Sequence, residues 1–131
     1  ILADYKVEEE TVSVTLDLPT DFPLTQVAVD CKTGRRGLPE GKWKAALLSA
    51  TAIMSTSSAL LPAITTWSGN MDRMLSGIEP CSICYCVMHA ADRTLPTPAC
   101  GTCGNKFHAS CLYKWFRTGG QATCPMCRSL F

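Results

Sequence analysis

The sequence is short of charge. Its 131 residues carry 12 basic and 11 acidic side chains for a net +1, and no charged residue occurs from Ala45 to Met71. A balance so close to neutral excludes a chain that grips nucleic acid by charge alone, and we expect no sequence-specific nucleic-acid partner. What charge there is divides unevenly: residues 1–78 hold seven basic and nine acidic side chains, residues 79–131 five and two.

The uncharged stretch raises the question of a membrane span. Eight Ser or Thr between Ala45 and Trp67, together with Pro62, make it too polar for the roughly 20 apolar residues a bilayer requires. It reads instead as two buried helices, and no membrane partner is expected. Internal repeats and low-complexity runs are missing, which excludes solenoids. A secretory leader is missing too, although a chain that starts at Ile1 is expected to be a piece of a longer one.

Cysteine is nearly absent from the first 80 residues, where Cys31 stands alone as a buried apolar thiol, and dense afterwards. The early part is organised by hydrophobic period. In TVSVTLDL, residues Val12, Val14, Leu16 and Leu18 alternate, and Val27, Val29 and Cys31 repeat the pattern of a half-buried strand. Pro19 and Pro23 between them favour an extended connection. After the turn-rich TGRRGLPEG the period becomes helical, with Trp43, Leu47, Ala50 and Met54 on one face. A second helix follows on Leu60, Ile64, Trp67, Met71 and Leu75. Strands followed by helices predict an α+β domain, a small antiparallel sheet with helices on one face. We expect it to span residues 1–78, closed by the stiff link Ile78-Glu79-Pro80.

Eight of the nine cysteines fall between Cys81 and Cys127. In order, the candidate ligands are Cys81 and Cys84, Cys100 and Cys103, His108 and Cys111, and Cys124 and Cys127. Two residues separate the members of each pair, and fifteen, four and twelve separate the pairs. A two-residue gap lets both donors reach one tetrahedral ion at about 2.3 Å, so the eight ligands predict two Zn2+ sites. A secreted disulfide framework is the competing reading, less suited to Cys-x-x-Cys pairs mixed with histidine. The sites could form in sequence along the chain or crossed, and crossing would tie distant segments of a chain with little core. Cys86 and His89 lie outside the ligand register.

The segments CSIC, ACGTCGNKFHASCLYKWF and CPMCR resemble the RING domain of the RING-CH variant, whose fourth ligand is cysteine and fifth is histidine. The likeness covers residues 81–128 within a second domain expected at 79–131. It implies cross-bracing, with site one formed by Cys81, Cys84, His108 and Cys111 and site two by Cys100, Cys103, Cys124 and Cys127. It also implies an E3 ubiquitin transferase that uses no nucleophile of its own and orients a ubiquitin-conjugating enzyme charged with ubiquitin. The groove for that enzyme would fall on Ile83, Trp115 and Pro125. The catalytic cation that bridges the conjugating enzyme and its ubiquitin would fall on Arg128. The PHD finger, a histone-tail reader, shares the ligand order, but the aromatic residue that PHD fingers usually carry two before the seventh ligand is Ala122 here. A zinc-stabilised interaction domain without ligase activity is a further alternative.

The stretches VMH after the first pair, LPTPAC and KFHASCLYKWF are similar to the ubiquitin ligases of ribosome-associated quality control, in which an RWD domain precedes the RING. Phe22-Pro23 sits where RWD domains carry an aromatic-proline turn. This resemblance implies a cytosolic, ribosome-associated module acting on lysines of nascent chains on stalled large ribosomal subunits. Lys32, Arg35 and Arg36 then become candidate ribosome contacts.

Overall fold

A computed structural model of the chain describes residues 1–31 and 37–131. These form two compact units, Ile1–Ser76 and Gly77–Phe131. Lys32, Arg35 and Arg36 lie outside the described residues.

The first unit is built on a three-stranded antiparallel sheet in the order β1 (Leu2–Val7), β2 (Glu10–Asp17) and β3 (Ala28–Asp30). Alternation in β2 sends Val12, Val14 and Leu16 inward to near-complete burial, each contributing about 1.5–3 kcal/mol of transfer free energy. Strand β2 ends at Asp17, and Leu18, expected on the same face, is exposed. Strand β1, which the period-two reading does not include, pairs with β2 from Leu2↔Thr15 to Val7↔Glu10. Its inward positions are Ala3, Tyr5 and Val7, while Leu2 points out, so its apolar pattern is too weak to read. Strand β3 is shorter than the alternation of Val27, Val29 and Cys31 suggests, and half-buried Cys31 lies just past its end.

Helices α1 (Glu40–Ser57) and α2 (Leu60–Leu75) complete the unit. Pro62 is tolerated because it falls in the first turn of α2, where an amide donor would have no partner within the helix. The buried stripe of α1 is Trp43, Ala46, Ala50 and Met54, and that of α2 is Ala63, Trp67, Met71 and Met74. Leu47, Leu60, Ile64 and Leu75, assigned to those faces from the sequence, are only half-buried. Small Ala46 and Ala63 occupy the fully buried positions instead and leave room for the indoles. Trp67 packs edge-on against Trp43 at 6.4 Å and Tyr5 at 6.3 Å between ring centroids. The Tyr5 hydroxyl donates to Asp72 at 2.5 Å, fastening β1 to α2. Among the described residues no helix is long and apolar enough to cross a membrane.

The second unit has one helix, α3 (Ala109–Gly119), ended by Gly120 in the left-handed conformation that glycine adopts without strain. Two isolated antiparallel bridges, Ala99↔Lys106 and Thr123↔Leu130, are its remaining regular pairings. Its core consists of Cys81, Cys100, Phe107, Cys111, Leu112 and Cys124, with Ile83, Cys84 and Phe116 packed against it. Four of the six buried members are cysteines, so apolar burial alone gives this unit little with which to offset chain entropy.

Candidate metal centres and the groove beside them

The three Cys-x-x-Cys pairs fold into the same turn. The amide two residues after each leading cysteine faces its sulfur: Ile83 to Cys81 Sγ at 3.5 Å, Thr102 to Cys100 at 3.4 Å and Met126 to Cys124 at 3.4 Å. The amide after each second cysteine then donates back to the first carbonyl, from Tyr85 to Cys81 at 2.7 Å, Gly104 to Cys100 at 2.9 Å and Arg128 to Cys124 at 2.9 Å. That last residue must be left-handed, with φ of 61°, 73° and 62° at Tyr85, Gly104 and Arg128. Gly104 takes the position freely, whereas Tyr85 and Arg128 cost roughly 1–2 kcal/mol each. Amides aimed at sulfur stabilise the thiolate, the form in which cysteine binds a metal.

These turns bring two clusters together, Cys81, Cys84, His108 and Cys111 in one and Cys100, Cys103, Cys124 and Cys127 in the other, with donor atoms in each within 4.8 Å of one another. First and third pairs meet, as do second and fourth, so the arrangement is crossed. Sulfurs of Cys103 and Cys124, and of Cys100 and Cys127, lie 3.7 Å apart. An ion bound tetrahedrally at about 2.3 Å would place its sulfurs roughly 3.8 Å from each other, which the four-thiol cluster matches.

In the other cluster His108 turns Nδ1 toward Cys84 Sγ at 3.3 Å and Cys111 Sγ at 3.9 Å. Its Nε2 faces the Val87 carbonyl at 3.1 Å, which assigns the proton to Nε2 and leaves Nδ1 as the donor lone pair. The ring is completely buried.

Electrostatics within each cluster point the same way. The Cys103 amide, the Ser129 hydroxyl and the Thr102 amide pull Cys100 down to about 5, while burial against neighbouring sulfurs pushes Cys124 up to about 11. Burial, with Cys81 and Cys84 alongside, raises Cys111 to about 12. Four sulfurs this close cannot all ionise unless a cation neutralises them, and a tetrahedral thiolate and imidazole set selects zinc. Both clusters therefore fit two Zn2+ ions. Cys86 belongs to neither: its thiol donates to the Cys84 carbonyl at 3.4 Å, and its own carbonyl accepts the Cys81 amide at 3.0 Å.

Beside the first cluster lies a groove of about 630 Å³ lined by Ile83, Cys84, His89, Ala91, Ser110, Cys111, Lys114, Trp115 and Thr118. Ile83 comes from the first turn and Trp115 from α3, so the metal cluster between them sets their spacing. Trp115 is 40% exposed, high for a side chain of its size. Partly buried Pro125 and exposed Arg128 belong to the fourth pair and do not line this groove.

At the rim, His89 Nδ1 lies 3.0 Å from Asp92 Oδ1. Partial burial of Asp92 opposes its ionisation, but hydrogen bonds from the Thr94 hydroxyl and amide and from Ser110, with His89 nearby, hold it down at about 2. His89 and Ser110 are groove residues that the ligand spacing alone does not reveal, because their role comes from the loop folding back onto α3. Its signal was the polar trio His89, Asp92 and Thr94 just after the first pair.

Two families match the chain. The ubiquitin conjugating domain-like family covers residues 1–74 and the Ring finger domain residues 79–128. The chain belongs to the ubiquitin conjugating domain-like family and carries a RING finger homologous to listerin. Over 98% of its length it is 39% identical to E3 ubiquitin-protein ligase listerin of Saccharomyces cerevisiae. Over its whole length it is 39% identical to listerin of Caenorhabditis elegans and 35% to that of Gallus gallus. It spans only 7–9% of the length of these relatives. The listerin likeness thus extends across both units, the RWD-like sheet with its helices as well as the RING.

Cys31, the lone cysteine of the first unit, has its thiol pushed up by burial and by Asp30. That direction is opposite to the activation of a nucleophilic cysteine.

Proposed function

We propose that this chain is the E3 ubiquitin-protein ligase module of a listerin-type protein, with an RWD-like domain at residues 1–78 and a RING at 79–131. The observation that carries the reading is the groove: Ile83 and a half-exposed Trp115 held at fixed separation by a buried ligand cluster. A rigid apolar recess flanked by Lys114 and Ser110 suits one face of a ubiquitin-conjugating enzyme, because little side-chain entropy is lost on docking.

The zinc ions supply folding free energy and take no part in the reaction. No residue of the groove is placed as a nucleophile, so the chain accelerates transfer by orientation. It holds the charged enzyme so that the thioester stays open to a substrate lysine. Ile83 and Trp115 bind the enzyme, with Pro125 extending the surface from the fourth pair. Arg128, exposed and with its backbone in the left-handed turn after Cys127, offers a planar cation that can donate to the conjugating enzyme and to ubiquitin together.

The substrates in this reading are lysines of nascent chains on stalled large ribosomal subunits, with Lys32, Arg35 and Arg36 contacting the subunit and the whole acting in the cytosol. Seven of the nine cysteines serve as metal donors, a use of thiols that suits a reducing compartment. Reversing those three charges in the full-length protein is expected to lower co-sedimentation with large subunits, and unchanged co-sedimentation would sink that part.

Single-turnover discharge of ubiquitin from a charged conjugating enzyme onto free lysine tests the ligase reading. The zinc-loaded chain is expected to accelerate discharge, and Trp115→Ala and Arg128→Ala each to abolish the acceleration with both zinc ions retained. No acceleration across a panel of conjugating enzymes, with capture of a histone-tail peptide instead, would favour the PHD-like alternative.

A further inference from the structure

Helix α3 delivers Trp115 to the groove, but a side chain 40% exposed is not held in one orientation by packing alone. Its indole Nε1 donates to the Thr123 carbonyl at 2.9 Å. Thr123 pairs with Leu130 in an isolated antiparallel bridge, and the Phe131 amide donates to the Ala122 carbonyl at 2.9 Å. Residues 122–131 therefore form a small hairpin around the fourth ligand pair, with Pro125 and Arg128 within it. A single bridge of this kind is marginal unless something packs on it.

The packing comes from Phe131, whose ring, though 42% exposed, meets two others. Its ring meets Phe107 edge-on at 6.0 Å and 67°, and Phe116 at 5.7 Å and 62°. Phe107 is wholly buried and precedes the ligand His108, while Phe116 follows Trp115 in α3. One ring thus joins the closing strand of the hairpin both to the core and to the helix that carries the groove tryptophan. Offset and edge-on aromatic pairs are favourable beyond the area they bury, so the contact has directional strength.

We propose that Phe131 is a positioning residue for docking of the conjugating enzyme. It clamps the hairpin against α3 and so keeps the Thr123 carbonyl on the Trp115 indole. The docking consequence rests on the groove reading above, whereas the clamp itself does not.

The test compares the zinc-loaded full chain with Phe131→Ala and Phe131→Leu, using two readouts. Hydrogen exchange of the Trp115 indole N–H, followed by NMR, is expected to quicken about tenfold in Phe131→Ala and about threefold in Phe131→Leu, which keeps apolar bulk but loses the ring contacts. In single-turnover discharge, the concentration of chain giving half-maximal rate is expected to rise about tenfold, the size of one lost hot-spot contact, while the saturating rate changes far less. In a Trp115→Phe background, which keeps a ring in the groove but has no indole N–H to hold, Phe131→Ala should add little to the half-maximal concentration, because the residue acts through the indole. Unchanged indole exchange with two zinc ions retained would overturn the clamp. A rise in half-maximal concentration of equal size with Trp115 and with Trp115→Phe would overturn the positioning role and leave general destabilisation. Should Phe131→Ala shed zinc, Phe131→Leu carries the same readouts, with the smaller quickening of indole exchange expected and an unchanged exchange decisive against the clamp. Failure of the unsubstituted chain to discharge ubiquitin would count against the ligase reading alone, since indole exchange still decides the clamp.

Discussion

In the first unit Val12, Trp67 and Met71 lose nearly all their exposure to other side chains, whereas in the second the most buried positions include Cys81, Cys100, Cys111 and Cys124. The two units, Ile1–Ser76 and Gly77–Phe131, close their cores with different materials. A sheet backed by two helices can bury aromatic side chains against one another and needs no staple. A segment with a single 11-residue helix cannot, and its leading cysteines serve both as core and as metal donors. The difference teaches that the surface of the second unit is set by ligand geometry, and this is why a residue as large as Trp115 can stay exposed without collapsing inward.

Chelation should separate the units most sharply. Structural zinc is worth about 10 kcal/mol or more, so stripping both ions is expected to unfold residues 77–131 while the β1–β2–β3 sheet and helices α1 and α2 persist. Circular dichroism with NMR peak dispersion would read this, and loss of both sets of signals together would erase the contrast.

Next in size is Trp67→Ala, which removes the ring between Trp43 and Tyr5 and is expected to cost the first unit about 3–5 kcal/mol in denaturant unfolding. Zinc content should stay at two ions per chain, and loss of either ion would show that the units share more than a connection. A sharper cut lies within one turn. Cys84→Ser should lose one ion and Cys86→Ser none, because only Cys84 stands in the cluster; equal zinc loss in a dye-release assay would reassign the ligand.

The smallest effect is a pH dependence confined to the first unit. Burial and the bond to Asp72 raise the Tyr5 hydroxyl from 10.0 to about 12. A group whose folded value is raised contributes stability that is complete below the unfolded value and is lost as pH climbs from about 10 to about 12. Tyr5→Phe should flatten that loss in the unfolding midpoint of the first unit. Parallel curves for the two proteins would deny the linkage.

How much was legible follows the same division. The ligand order from Cys81 to Cys127 identified the eight donors, because tetrahedral chemistry admits few spacings, and their crossed pairing, left open by spacing, was implied by the RING likeness. In the first unit, period identified β2, α1 and α2 and the inward residues Val12, Val14, Leu16, Trp43, Ala50, Met54, Trp67 and Met71, but it placed Leu18 inward and put Leu47, Leu60, Ile64 and Leu75 deeper than they lie. Leu47 and Ile64 advertise themselves in a sequence, whereas Ala46 and Ala63 take the deepest positions because the indoles of Trp43 and Trp67 already fill the space. Strand β1 escaped notice since Ala3 and Tyr5 are poor signals of an inward face. Groove residues His89 and Ser110 were hidden for another reason: they meet only after a loop folds back, and no local period encodes that.

One measurement bears most directly on the claim that ligand geometry in the second unit builds a docking groove. The zinc-loaded chain, labelled with 15N, is titrated with a ubiquitin-conjugating enzyme and its amide and indole shifts are followed. The predicted result is a footprint at Ile83, His89, Ser110 and the Trp115 indole, with the amides of β1, β2, α1 and α2 unmoved. A footprint on those strands and helices with a silent groove would contradict the account.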